Sequence, residues 1–165
     1  MTAVEVRIEE KDAFNIVGVT KRVPIRFEGL NAEIIELAQS ITASQHDTMN
    51  CLNDLYPHQV VNASFDFDDT RFEGKGELTH MIGFITAKDN PTDELKQLHV
   101  ESGTWAVFPS TGPFPQTLQD IWGMIYAEWL PESDYIVTAG PEISFTQNNN
   151  SEIKYSEIWL PVKKK

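Results

Sequence analysis

The order in which element types recur along this chain restricts its fold more than any single motif does. Alternating stretches "VEVRIEE" and "AFNIVGVTKRVPI" lead into "LNAEIIELAQSITA", where Ile34, Ile35, Leu37, Ala38 and Ile41 return at helical spacing. Strand-like "VVNASFDF" and "LTHMIGFITA" follow. Further on come a strand in "QLHVESGTWAVFPS", a helix after "GPFP", and strands in "EISFTQ" and "KYSEIWLPV". A strand–helix–strand–strand unit is thus used twice, over residues 3–88 and 95–163, in the order of its elements and not in residue identity. The polar, Pro-containing "AKDNPTDE" at 87–94 reads as the connection. Either half alone would leave an apolar face bare. The expected architecture is therefore α+β: duplicated units forming one antiparallel sheet with two helices, related by a pseudo-two-fold axis, in one domain over 1–165.

Charge narrows the partners. With 13 Lys+Arg against 25 Asp+Glu the net charge is −12, and there is no basic stripe of the kind that neutralises phosphates. Cations are favoured over nucleic acid. The single cysteine, Cys51, excludes an intramolecular disulfide, fits a reducing cytoplasm, and is expected to be buried and inert. No long apolar span or signal-peptide core is visible, so neither a membrane partner nor export is expected. The terminal "KKK" reads as a solubilising end.

Metal and phosphate chemistry find little support. His46, His58, His80 and His99 lack metal-ligand spacing. "FEGKGE" at 72–77 lacks the spacing of a phosphate loop and reads as a hairpin connection, and "DFDD" at 66–69 lacks the spacing of a calcium loop and reads as a solvated strand end. No metal or cofactor is expected.

The second helix, "QTLQDIWGMIYAEWLP", carries Leu118, Ile121, Trp122, Ile125, Tyr126 and Trp129 as one broad stripe, with Pro131 as its expected stop. Trp122 and Trp129 are assigned to the core. Glu128 falls at the stripe's edge beside Ile121, Met124 and Ile125, where it either snorkels to water or faces a cleft. In the last strand Tyr155, Glu157 and Trp159 share one face, and Ser156, Ile158 and Leu160 the other. A carboxylate between two large aromatics suits a bulky organic cation, if that face lines a cleft.

The run from "TWAVFPSTGP" through "IWGMIYAEWLPESDY" and "GPEISF" to "EIWLPVK" resembles the GyrI-like small-molecule-binding domain, also known as the effector-binding domain of AraC-type transcription activators. "SFDFDD" and "HMIGFITA" are looser matches in the first half. The resemblance implies a cleft between the halves where relatives bind lipophilic, often cationic compounds, an acidic residue in an aromatic-lined pocket meeting the cation. It points to Glu157 first and Glu128 second, with Tyr155, Trp159, Trp105 and Phe65 as lining residues. Regulators of this class carry a helix-turn-helix module ahead of the domain, and this chain begins with the domain itself, so direct DNA binding is not expected. Free-standing relatives imply three roles: sequestering drugs, hydrolysing strained cyclopropane-bearing toxins, or modulating gyrase by protein contact. Hydrolysis would draw on Glu157, Glu128, Tyr126 and Tyr155. The leading expectation is a stand-alone binding module for hydrophobic cations, ahead of an enzyme and of an interaction protein.

Overall fold

Apolar alternation becomes antiparallel sheet in both halves of the chain. The computed structural model describes residues 5–24, 32–68, 76–114, 116–138, 140–147 and 152–165. They divide into two units: residues 12–101, and the described residues through Lys11 together with those from Ser102 to Lys165.

In chain order the strands are β1 (Arg7–Lys11), β2 (Phe14–Pro24), β3 (Val60–Phe65), β4 (Glu77–Thr86), β5 (Lys96–Val100), β6 (Gly103–Pro113), β7 (Tyr135–Val137), β8 (Glu142–Thr146) and β9 (Ile153–Lys164). In the unit of residues 12–101 the strand order is β3-β4-β2-β5, all antiparallel. In the other it is β8-β9-β6-β1, with β7 pairing the end of β9. The expected strand–helix–strand–strand unit is present twice with one strand order. The outermost strands cross the sequence boundary: β5 follows the 87–94 connection yet pairs with β2, and β1 opens the chain's described part yet pairs with β6.

Between β2 and β3 the chain forms two short helices, α1 (Ala32–Gln39) and α2 (Ala43–Asn50). The sequence reading foresaw one. Thr42 separates them: its hydroxyl accepts from the Gln45 N–H while the Gln45 side chain accepts from the Thr42 N–H, a capping box that starts α2 afresh. Cys51 caps the end of α2 and is exposed, not buried as expected, because the apolar contacts there fall to Met49 and Leu52. In the middle of this sheet Gly18 lies opposite Gly83, and a Cβ on Gly83 would stand 2.3 Å from the Val17 carbonyl oxygen. The two strands approach so closely there that only glycine fits.

In the other unit α3 (Gln116–Met124) runs into a π turn, Ile125–Trp129, and a final turn, Leu130–Glu132. Pro131 is not the stop that was expected. The Leu130 N–H reaches back five residues to Ile125, Pro131 has no N–H to give, and Ser133 resumes the four-residue bond to Trp129, so the register change absorbs the proline. Ile125, Trp122 and Trp129 pack with Ala106, Phe108, Ile158, Leu160 and Val162, and Trp129 meets Phe108 edge-on at 4.9 Å. The helical aromatics are core, as read from their spacing. Most of the 72–77 hairpin connection, and Asp69, lie outside the described residues.

Candidate functional site

The even-numbered residues of β9 turn toward α3, so Tyr155, Glu157 and Trp159 occupy the sheet's opposite face. Register then decides their company. Glu157 stands between Pro109 of β6 and Phe145 of β8, and Trp159 between Val107 and Ile143. On β6, Trp105 lies two residues from Val107 and so shares the face; from β1, Arg7 is opposite Val107, Glu9 opposite Trp105 and Lys11 opposite Gly103. Among the described residues β1 pairs β6 only as far as Val107, short of Pro109, a residue without an N–H to give.

Glu157 is 2% exposed. A buried carboxylate needs donors, and two neighbours on its own strand supply them. Tyr155 Oη donates to Oε2 at 2.6 Å and Trp159 Nε1 donates to Oε1 at 2.8 Å. Arg7 Nη2 lies 3.8 Å from Oε2. Burial, then the bond to Glu157, hold the Tyr155 phenol above its ordinary pKa, so it remains a proton donor. Arg7 also bonds Glu9 at 2.9 Å, which pulls the Glu9 carboxyl below its ordinary pKa, and Lys11 Nζ lies 3.3 Å from the other Glu9 oxygen. Trp159 is edge-on to Trp105 at 6.4 Å and to Phe145 at 6.2 Å, and Lys11 Nζ sits 4.0 Å from its ring centroid. The assembly can hold positive charge against aromatic faces beside a fixed carboxylate.

Of the residues singled out in the sequence, Glu157, Tyr155, Trp159 and Trp105 are brought together. Glu128 is not among them: it is exposed on the π turn, which packs on the other face of the sheet. Tyr126, on that same side, donates to the buried Glu142. Phe65 is half-buried at the end of β3, opposite Thr79, in the unit of residues 12–101. Arg7, Glu9, Lys11 and Phe145 were missed. Three charges at every second position of "RIEEK" put them on one strand face, and that was the available signal.

The histidines are dispersed. His80 is buried between Asn62 and Ser64, and among the described residues no three His, Cys, Asp or Glu gather in a metal-binding arrangement. No helix among them is long and apolar enough to cross a membrane.

The sequence pattern of the GyrI-like small molecule binding domain matches residues 4–163. The chain belongs to the GyrI-like family. It is a GyrI-like small-molecule-binding domain with the α+β fold of that family. Solved structures share the fold at low identity. SAV2435, determined with tetraphenylphosphonium bound, aligns at TM-score 0.75 and 18% identity over 96% of this chain and 94% of that one. A protein of Staphylococcus aureus MU50 aligns at 0.68 and 18% over 98% and 99%. The EcmrR C-terminal domain aligns at 0.68 and 14% over 99% and 100%. No curated protein matches the sequence.

Proposed function

We propose that this GyrI-like domain binds lipophilic organic cations on the sheet face opposite α3, with Trp159, Trp105 and Phe145 as aromatic walls and Glu157 as the counter-charge. One observation carries the reading: a carboxylate 2% exposed is held by donors on its own strand among large aromatics. Burying an acid costs several kcal/mol unless it is compensated, on the order of what two charge-assisted hydrogen bonds return. A site so built suits a ligand that offers positive charge and apolar area together. The tetraphenylphosphonium bound to SAV2435 is a ligand of that chemistry.

The net charge of −12 supports a cationic ligand and argues against direct contact with DNA. The lone exposed Cys51 suits a reducing compartment, and the cytoplasm is the proposed location. The binding reading is tested by determining the structure with tetraphenylphosphonium. The phosphonium is expected against the Trp159 ring, within van der Waals reach of it and beside Glu157. A complex with the cation bound away from β9 contradicts the proposal.

A further inference from the structure

The cation-binding face already holds a cation. Lys11, the last residue of β1, lays its ammonium 4.0 Å from the centroid of Trp159, which is van der Waals contact with the ring. The indole it covers is 3% exposed, with its N–H committed to Glu157 and with Trp105 and Phe145 edge-on to it. The Lys11 side chain is 18% exposed, so it lies between that ring and water. Glu9 holds the ammonium from the side at 3.3 Å. Lys11 stands opposite Gly103, which sets no side chain beside it and where even a Cβ would meet nothing within 4 Å.

The geometry points to Lys11 as a resident plug: an internal cation that occupies the ligand's place over Trp159 and leaves it when an exogenous cation binds. This rests on the proposed binding of organic cations at that face. Two positive charges cannot share one ring face at contact distance, so every cationic ligand must displace Lys11 and then tolerate its charge nearby. Lys11 thereby sets a threshold. Weak or small cations do not clear it, and ligands with a broad apolar surface do, because area burial adds to their charge contact. Displacement keeps the Lys11 head group supplied, since Glu9 remains in reach on the same strand.

The test is calorimetric titration of tetraphenylphosphonium into the full chain and into Lys11→Met and Lys11→Arg, with circular dichroism melts confirming that each variant folds. Lys11→Met retains an unbranched apolar stem and removes the charge. It is expected to tighten tetraphenylphosphonium about three- to thirty-fold, the worth of one partly desolvated cation–π contact. Lys11→Arg keeps a cation that stacks on indole and is expected to bind no tighter than the wild type. If the wild type binds and Lys11→Met binds equally or more weakly, the plug is overturned while the binding site stands. If neither binds, the site and the plug fall together.

Discussion

At the scale of single residues, two of the polar groups buried among the described residues report on different things. Glu157 is held by two donors on its own strand, and His80 is held neutral within the sheet. His80 Nε2 donates to Asn62 Oδ1 at 3.0 Å, its Nδ1 lies 3.2 Å from the Ser64 hydroxyl, and burial lowers its pKa from 6.5 to about 4. Between those values the unfolded chain takes up a proton that the folded chain refuses. Stability is therefore full above pH 6.5 and falls as the pH drops toward 4, by on the order of 3 kcal/mol from this residue. Urea midpoints measured across that range should decline less steeply in His80→Asn than in the wild type, and parallel curves would contradict the assignment. Tyr155 tests the other group. Tyr155→Phe removes one of the donors to buried Glu157 and is expected to cost roughly 1–3 kcal/mol in urea unfolding, with an unchanged midpoint as the contrary result.

Elements hold the site in place, and two of them depend on single positions. Thr42→Ala removes the cap that begins α2 and should cost about 1 kcal/mol in thermal or urea unfolding. Gly83→Ala forces a methyl against the backbone of β2, and roughly 1–3 kcal/mol of overpacking is expected, enough to lower the melting temperature more than Thr42→Ala does. The reverse ranking would mean that β2 and β4 separate easily at that point. Strands were legible in the sequence because alternation survives at half-buried sheet positions, and so was the helical stripe of Trp122, Tyr126 and Trp129, because core spacing repeats. The start of α2 was legible too, in "TASQ", but the run of apolar residues reaching Ile41 concealed it. The π turn was not. Its cause is a bond that Pro131 cannot make, and a helical wheel drawn at constant pitch does not register it. The same constant wheel left Glu128 beside the apolar stripe, whereas the structure leaves it exposed. The Glu157 set was readable on its own strand, since Tyr155, Glu157 and Trp159 are neighbours by period, but Arg7, Lys11 and Phe145 come from strands whose pairing no local pattern specifies.

Over the whole molecule the acidic excess sets which partners approach. A chain of net charge −12 attracts cations at range and repels phosphate backbones, an effect that weakens as salt shortens the Debye length. Anisotropy of a labelled DNA duplex should stay flat up to about 10 µM protein even at low salt, and a salt-sensitive rise would overturn the proposed lack of DNA contact. Charge at range raises encounter without choosing among cations, and in the proposed site choice belongs to the aromatic face with its carboxylate. The central claim is that Glu157 supplies the charge that separates a cation from a neutral compound of like shape. The measurement that tests it most directly is calorimetric titration of tetraphenylphosphonium and of neutral triphenylphosphine oxide into the wild type and Glu157→Gln. Removing the carboxylate also takes away a negative charge 3.8 Å from Arg7, which keeps its bond to Glu9. The cation is expected to weaken about ten- to a hundred-fold, and the neutral compound by less than about threefold. Equal affinity of Glu157→Gln and wild type for tetraphenylphosphonium would contradict the account.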